Sequence, residues 1–371
     1  MIGGCLIMNI GKIVLAAVFT FSICGCSANA AFIEADCPQI QYFGRWEKNP
    51  SVYRCAQGAT YIKANFTGTS LYAYLEDSNA WWRVSIDGGE FRRFHPKGKR
   101  TMLAENLSQG EHKVLLVRST EGRAGVSEFH GFYIDDDAQI LPPDSAKKRR
   151  LEFIGDSITA GFKNDGVSNG AYQDIEDNDM AFGPQLARML DADYSVLAKS
   201  GEGVVHNWGE DWPNNQVHTA DRYGWILYSD KKSPENKKWN PQDFPVDGTI
   251  IALGTNDFNR SDQKRKPTHE EFVDGYEHLL QIVRQLNPDI PIICIEPVPS
   301  AIPSYVGEWI NEAVTAQKEK GDNNIYYIAI NEGRPLLEPS DYAGDNTHPL
   351  KSGAKKIALF LKDKVAGILG W

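Results

Sequence analysis

A serine, a histidine and an aspartate in this sequence have the types and spacing that nucleophilic catalysis requires. Ser157 lies in Gly-Asp-Ser-Ile at 155–158, and His348 lies in Asp-Asn-Thr-His-Pro at 345–349. A serine hydroxyl is a weak nucleophile until an imidazole accepts its proton, and the imidazole works best when a carboxylate fixes its tautomer. Asp345, three residues before His348, can supply that carboxylate. These residues therefore favour acyl transfer through a covalent intermediate on serine.

A second group of residues can stabilise the negative charge that forms during acyl transfer. The tetrahedral intermediate carries an oxyanion, which needs hydrogen-bond donors already in place. The candidates are the backbone N–H of Ser157, the N–H of a glycine in Ser-Gly-Glu-Gly at 200–203, and the side-chain amide of Asn256 in Gly-Thr-Asn-Asp at 254–257. Either Gly201 or Gly203 could be the glycine donor.

The segments around these residues predict the elements that bring them together. An apolar run at 149–154 precedes Ser157, and a β-branched run at 248–253 precedes Asn256. Both runs are typical of buried parallel strands, whose carboxyl ends meet at one edge of a sheet. Apolar residues recur at helical spacing over 350–369, so His348 lies in the loop that leads into the last helix. We therefore expect the serine, asparagine and histidine to converge.

The chain divides into two regions of different pattern. Residues 37–141 contain short predicted strands about every ten residues, which predicts a β-sandwich domain. These strands are expected at 60–66, 70–75, 82–86, 113–118 and 128–134. Residues 147–371 alternate apolar strands near 153, 250, 292 and 326–330 with helices at 182–190, 269–286, 306–319 and 352–369, which predicts a parallel sheet flanked by helices. The boundary is expected at the prolines 142 and 143.

Composition argues against several other kinds of function. The 371 residues carry a formal net charge of −10 and no basic patch that would suggest a nucleic-acid partner. The eight histidines are scattered, and neither Cys-x-x-Cys nor His-Glu-x-x-His occurs, so neither a catalytic metal nor another cofactor is expected. Cys37 and Cys55 could pair in an oxidising compartment, whereas Cys294 lies in an apolar run that indicates a buried strand.

The first residues have the pattern of an export signal. Lys12 precedes an apolar stretch at 13–23, and small residues follow. We interpret 1–26 as a signal peptide of the lipoprotein type with Cys26 as the lipid-bearing residue, although Ala-Asn-Ala at 28–30 would suit ordinary cleavage. The expected location is the periplasm or the cell surface, with membrane contact only through the lipid.

The order of these blocks resembles the SGNH (GDSL) hydrolase superfamily, with Ser157, Gly201, Asn256 and His348 matching its four named residues. A strand-rich block directly before a Gly-Asp-Ser block resembles carbohydrate esterase family 2, whose members remove acetyl groups from xylan and related polysaccharides. The resemblance implies a jelly-roll-like β-sandwich followed by an SGNH domain, a serine esterase, and an acetylated polysaccharide or oligosaccharide as the partner. Some family members lack the carboxylate of the triad, but this chain has Asp345 at the matching position.

Sugar binding in an open cleft calls for exposed aromatic rings. Trp208 follows the glycine segment and Trp309 follows a predicted strand, so both are candidate substrate-binding residues. Two alternatives stay open from the sequence. One is a lipid or thioester hydrolase of the same superfamily, and the other is a carbohydrate-binding surface protein without catalysis.

Overall fold

The structure is a computed structural model that describes residues 31–77, 79–166, 171–212, 214–258 and 265–371. The predicted signal peptide and the lipidation site Cys26 lie outside the described residues. None of the helices in the described ranges is long and apolar enough to cross a membrane.

The first part of the chain, here called the β domain, is an antiparallel sandwich of two six-stranded sheets. One sheet has the order β3-β4-β11-β6-β9 with β1 beside β11, and the other has the order β12-β5-β10-β7-β8 with β2 beside β5. The bounds are β1 Ala31–Glu34, β2 Gln41–Phe43, β3 Glu47–Asn49, β4 Val52–Cys55, β5 Tyr61–Gly68, β6 Leu71–Glu76, β7 Trp82–Ile86, β8 Arg92–Phe94, β9 Gly98–Ala104, β10 Gly110–Arg118, β11 Ser127–Ile134 and β12 Ile140–Leu141. The predicted sandwich is thus confirmed.

Side chains that alternate along these strands fill the space between the two sheets. On β6, Leu71, Ala73 and Leu75 are buried, while the residues between them are only partly buried. They pack in one apolar cluster with Trp82 of the opposite sheet. A period of two along an extended chain directs every second side chain to the same face, which explains the pattern.

The second part, here called the α/β domain, is a parallel sheet with helices on both faces, as predicted. The strands are β13 Arg149–Gly155, β14 Ala192–Ala198, β15 Gly248–Ala252, β16 Ile292–Ile295 and β17 Ile325–Ile328, in the order β14-β13-β15-β16-β17. The helices are α1 Ser157–Ala160, α2 Phe182–Met189, α3 Thr219–Tyr223, α4 Thr255–Phe258, α5 His269–Leu286, α6 Tyr305–Glu319 and α7 Lys351–Leu369. Short 3₁₀ turns occur at Gly122–Ala124, Tyr172–Ile175, Asn178–Met180, Pro241–Asp243 and Pro339–Asp341.

Successive residues of the central strands pack on opposite faces of the parallel sheet. Phe153 of β13 belongs to the apolar cluster that contains residues of α2 and α7. Its neighbour Ile154 belongs to the cluster that contains residues of α5 and α6. Such burial on both faces explains why these strands read as continuous apolar runs in the sequence.

The edge strand β14 was not among the predicted strands. All seven of its residues are buried, although its sequence includes Asp193 and Ser195. Asp193 accepts hydrogen bonds from the Tyr61 hydroxyl at 2.7 Å and from Lys63 Nζ at 2.8 Å, both on β5 of the β domain. The β domain therefore provides the polar partners that let this strand be buried.

The two domains share one apolar core. Phe43, Tyr61 and Val117 of the β domain lie in the same buried cluster as Leu151 and Phe153 of the α/β domain. The rings of Phe43 and Tyr61 stack with their centroids 4.5 Å apart. The interface therefore resembles a protein interior.

The possible pairing of Cys37 with Cys55 is wrong for this structure, because both are free thiols. Cys37 Sγ instead donates a hydrogen bond to Gln39 Oε1 at 2.9 Å, and Cys55 is fully buried. Cys294 is also fully buried, on β16.

Candidate active site

Ser157 lies at the carboxyl end of β13, where the strand turns into the short helix α1. The carboxylate of Asp156 caps this helix by accepting a hydrogen bond from Ile158 N–H at 2.9 Å. A side chain at Gly155 would lie 2.0 Å from Thr159 Oγ1, so the tight turn requires glycine there. Burial raises the pKa of Asp156 to about 7, and capping is the role that its contacts support.

The structure brings Ser157, His348 and Asp345 into one hydrogen-bonded chain. Ser157 Oγ lies 2.9 Å from His348 Nε2, and His348 Nδ1 lies 2.8 Å from Asp345 Oδ2. Asp345 Oδ1 also accepts hydrogen bonds from the backbone N–H groups of Thr347, at 3.0 Å, and His348, at 2.9 Å. One carboxylate therefore orients the imidazole and holds the loop that carries it, which is the arrangement that lets histidine act as a base.

Lys163, which the sequence reasoning missed, completes this chain. Its Nζ donates a hydrogen bond to Asp345 Oδ2 at 2.8 Å. Burial raises the pKa of Asp345, but the hydrogen bonds from His348 and Lys163 outweigh it and hold the pKa well below its usual range. The carboxylate is therefore charged at neutral pH. A lone lysine six residues after the serine carries no spacing signal that would have identified it.

Phe162 is a second neighbour of the histidine that the sequence did not single out. Its ring meets the His348 ring edge to face, with the centroids 4.8 Å apart and the planes at 80°. This contact fixes the plane of the imidazole from the side.

The two glycines of the 200–203 segment differ in what their N–H groups do. The Gly203 N–H donates a hydrogen bond to Asn207 Oδ1 at 3.0 Å. Within the described part of the chain, the N–H groups of Gly201 and Ser157 have no acceptor. Gly201 also has a φ of +83°, a conformation that favours glycine. The geometry thus leaves Gly201 and not Gly203 available to an oxyanion.

Asn256 lies at the carboxyl end of β15, on the helix α4 that follows. Its Nδ2 donates a hydrogen bond to the Glu202 carbonyl at 2.8 Å. An amide nitrogen has two hydrogens, so one remains for a ligand. Asn256 therefore holds the glycine segment and can act as a donor at the same time.

Asp257 braces the neighbouring segment. It accepts hydrogen bonds from the N–H groups of Val204 at 3.0 Å, Val205 at 2.9 Å and His206 at 3.0 Å, and it is fully buried. The carboxylate therefore reaches from α4 across to the segment after β14.

The two candidate tryptophans lie in different surroundings. Trp208 is 58% exposed, and its backbone N–H donates a hydrogen bond to the Gly201 carbonyl at 2.8 Å, so the residue lies beside the candidate oxyanion site. Trp309 lies on α6, within the helix that the sequence predicted at 306–319. Its ring packs against Tyr305 at 4.5 Å, Phe258 at 5.8 Å and Phe272 at 6.1 Å between centroids. This packing accounts for Trp309 without a ligand.

The site as a whole lies where the strand order of the parallel sheet reverses. Ser157 follows β13 and Asn256 follows its neighbour β15, while the glycine segment follows β14 on the other side of β13. Ligands of open α/β sheets bind at this position, because the loops on either side diverge and leave a crevice.

One cluster of potential metal ligands occurs among the described residues, and it lies in the β domain. It consists of Glu76, Glu128 and His130, whose ligand atoms lie within 4.8 Å of one another. Glu76 and Glu128 are partners on the paired strands β6 and β11. This cluster is not part of the Ser157 site.

Two family models match consecutive parts of the chain. The carbohydrate esterase 2 N-terminal model matches residues 42–143, and the GDSL-like lipase/acylhydrolase model matches residues 153–356.

Relatives and solved structures agree with these models. The chain is 28% identical over 322 residues to an acetylxylan esterase/glucomannan deacetylase of Cellvibrio japonicus, covering 84% of this chain and 85% of that protein. It is 28% identical to the cellulase/esterase CelE of Acetivibrio thermocellus, covering 91% of this chain but only 40% of that protein. A family two carbohydrate esterase from Clostridium thermocellum, solved with cellohexaose, matches with a TM-score of 0.78 and 26% identity over 90% of this chain and 99% of that one.

The GDSL-like model covers more than half of the chain, and the strand-rich part before it matches the N-terminal model of a carbohydrate esterase family. The chain therefore belongs to the GDSL-like lipase/acylhydrolase family and, within it, to carbohydrate esterase family 2, and it is a carboxylic ester hydrolase.

Proposed function

We propose that this chain is an exported serine esterase that removes O-acetyl groups from a plant polysaccharide, xylan or a related hemicellulose. The observation that carries the proposal is the 2.9 Å contact between Ser157 Oγ and His348 Nε2, with Asp345 on the other imidazole nitrogen. The substrate class is supported by the acetylxylan esterase and glucomannan deacetylase relative and by the neighbour solved with cellohexaose. The exposed indole of Trp208 beside Gly201 suits a sugar ring.

The chemistry begins with transfer of the acetyl group to the enzyme. His348 Nε2 accepts the proton of Ser157, and Oγ attacks the acetyl carbonyl carbon. The carbonyl oxygen becomes an oxyanion held by the N–H groups of Ser157 and Gly201 and by the Asn256 amide. The C–O bond to the sugar then breaks, and His348 returns the proton to the departing sugar hydroxyl.

Water completes the cycle by the same route. His348 accepts a proton from a water molecule, whose oxygen attacks the acetyl-serine carbonyl, and the same donors hold the second oxyanion. Acetate leaves and Oγ of Ser157 regains its proton. Throughout, Asp345 keeps Nδ1 of His348 protonated, so that Nε2 is the nitrogen that exchanges protons.

An assay of released products tests both the reaction and the substrate. Acetate release from acetylated xylan and acetylated glucomannan is measured beside fatty-acid release from a long-chain ester, with wild type and Ser157→Ala. We expect acetate release by wild type to fall by at least about 10³-fold in Ser157→Ala, because the nucleophile is lost. Acetate release that survives the substitution would contradict the mechanism. A preference for the long-chain ester would instead favour a lipid hydrolase.

We also infer export with a lipid at Cys26, from the pattern of residues 1–26. The full-length chain is expressed in a bacterium fed an alkyne fatty acid. A label on wild type that disappears in Cys26→Ser is expected. An unlabelled, freely secreted protein would instead indicate ordinary cleavage after residue 30.

A further inference from the structure

A fully buried glutamate of the β domain touches the segment that carries Gly201. Glu121 lies just after β10, and none of its surface is exposed. Its Oε2 accepts a hydrogen bond from the Ser200 N–H at 2.6 Å. Ser200 directly precedes Gly201, so this bond acts one peptide unit away from the proposed oxyanion donor.

The chain around Glu121 packs closely against the α/β domain. A side chain at Gly122 would lie 2.6 Å from the ring of Tyr228, so only glycine allows this approach. The Ser119 carbonyl accepts a hydrogen bond from the Asn178 N–H at 2.8 Å, and the Glu121 N–H donates one to Glu176. Glu121 is therefore held from both sides.

The hydrogen bonds of the glycine segment leave one N–H group unused. Ser200 N–H is bound by Glu121, and Gly203 N–H is bound by Asn207. The Gly201 carbonyl accepts a hydrogen bond from the backbone N–H of Trp208, and the Glu202 carbonyl accepts one from the side-chain amide of Asn256. Among these groups, the Gly201 N–H alone remains for a ligand, and its direction follows from the bonds on either side.

Burial raises the pKa of Glu121, and the guanidinium of Arg123 and the Ser200 N–H oppose this by favouring the charged form. Arg123 Nε lies 2.7 Å from Glu121 Oε1. Burial raises the pKa of Glu176, and the negative charge of Glu121 raises it further, so Glu176 is the protonated member of this buried pair. A charged acceptor strengthens the hydrogen bond to the Ser200 N–H. The direction of that bond, however, depends on where the acceptor oxygen lies, and a glutamine oxygen would lie at the same place.

Arg123 links the same segment to the histidine side of the site. Its guanidinium carbon lies 3.7 Å from the centroid of the Tyr172 ring and 6.0 Å from that of Phe162. Phe162 in turn packs on His348. The segment after β10 therefore contacts both halves of the catalytic centre.

We propose that Glu121 of the β domain is a positioning residue for the oxyanion hole: by binding the Ser200 N–H, it aims the N–H of Gly201. The β domain is then part of the catalytic apparatus and not only a wall beside it. This inference rests on the proposed function, because it assigns Gly201 as an oxyanion donor.

Two substitutions at Glu121 in the full chain distinguish the effect of the position of the acceptor oxygen from the effect of its charge. Glu121→Gln keeps a carbonyl oxygen at the same distance but loses the charge, and Glu121→Asp keeps the charge but retracts the oxygens by one methylene. Glu90→Gln, at an exposed position of the β domain, is the matched control. Each variant is measured for kcat and KM on an acetyl ester, and for the inhibition constant of a small alkylboronic acid. The boronic acid adds to Ser157 Oγ and forms a tetrahedral anion that occupies the oxyanion hole.

We expect Glu121→Asp to lower kcat by about 10- to 100-fold and to raise the inhibition constant of the boronic acid by a similar factor. A small displacement of an oxyanion donor lowers the reaction rate by this order. KM should change by less than about 3-fold, and Glu121→Gln should stay within about 5-fold of wild type in both quantities. The inhibition constant reports only on folded molecules, so partial unfolding cannot imitate this result.

Three results would overturn the proposal. The first is a lower kcat in Glu121→Asp with an unchanged inhibition constant. The second is a Glu121→Gln variant that is more impaired than Glu121→Asp. The third is a kcat and an inhibition constant that equal those of the Glu90→Gln control in both Glu121 variants. Failure of the proposed function is seen separately, since wild type would then show no acetate release that depends on Ser157.

Discussion

Asp345 serves three partners, and its charge state governs all of them. It orients His348, holds the backbone of residues 347 and 348, and accepts a hydrogen bond from Lys163. A carboxylate in such an environment is needed for the reaction and also stabilises the fold, because its charged form is favoured in the native state.

We therefore expect the replacement of Asp345 by asparagine to lower the stability of the fold in a pH-dependent way. The pKa of the folded carboxyl lies well below that of the unfolded chain, so its stabilisation is complete above the unfolded pKa of about 4 and is lost as the pH falls below it. We expect the free energy of unfolding of Asp345→Asn to be lower than that of wild type by about 1–3 kcal/mol at pH 7, and the difference to shrink below about pH 4. Urea unfolding at several pH values measures this. Asp363→Asn, at an exposed position of α7, is the control, and a difference independent of pH would contradict the expectation.

Sequence reasoning could identify the residues of the site that lie at fixed offsets from predicted elements. Ser157 and Asn256 follow apolar strands and His348 precedes a helix, so the topology alone brings them to one edge. The structure places Ser157 Oγ 2.9 Å from His348 Nε2 and bonds Asn256 to the glycine segment, while the catalytic roles of these residues remain predictions. Lys163 and Glu121 could not be found this way, because their importance depends on which side chains meet after folding. The choice between Gly201 and Gly203 also required the hydrogen bonds.

At the scale of elements, strong periodicity made the long helices predictable. Helix α5 has the predicted bounds, and α2, α6 and α7 differ from the prediction by one residue at one end. The capping box between Thr268 and Glu271 explains the sharp start of α5. The strands that escaped prediction are mostly short or lie at sheet edges, such as β9, where one-sided burial weakens the pattern.

Strand β14, which the sequence did not predict, has its buried Asp193 bound by side chains of the β domain. Asp193 is 1% exposed and accepts from Tyr61, from Lys63 and, at 3.2 Å, from the Lys147 N–H. We expect Asp193→Asn to lower the free energy of unfolding by about 2 kcal/mol. The NH₂ group of the asparagine would face hydrogen-bond donors that the carboxylate now accepts from, and the charge that pairs with Lys63 would be lost.

Asp191→Asn is the matched control for this change, since the Asp191 side chain is 84% exposed. It should stay within about 0.5 kcal/mol of wild type. Chemical unfolding of the three proteins compares them, and equal effects at the two positions would mean that the polar partners do not hold the strand.

At the scale of the whole molecule, the two domains behave as one unit because a buried arginine joins them. Arg45 of the β domain is fully buried, and its Nη2 pairs with Glu152 of β13 at 3.0 Å. Nη1 donates to the carbonyls of Tyr223 and Trp225, and the guanidinium lies 5.0 Å from the centroids of the Tyr223 and Trp239 rings. The two-domain order could be predicted from the change of strand pattern, whereas this shared interior could not, because Arg45 reads as a surface residue.

Substitution of Arg45 by methionine should destabilise both domains together. Loss of the guanidinium leaves the buried Glu152 without its counter-charge, although the Tyr223 hydroxyl still donates to it at 2.7 Å, and removes the donor of two buried carbonyls. The expected cost is about 3–5 kcal/mol. Calorimetry should show a single transition for wild type and a single transition at lower temperature for Arg45→Met, with the exposed Arg334→Met unchanged. Two separate transitions, or a loss confined to one domain, would show that the shared core does not couple them.

The central claim is that the acetyl group passes through Ser157, and rapid acid quenching during turnover of an activated acetyl ester tests it most directly. Peptide mass spectrometry should find one acetyl group on the peptide that contains Ser157, and none on that peptide in Ser157→Ala. Turnover by wild type with no acetylated peptide under any quench time, or with the acetyl group on another residue, would contradict the account.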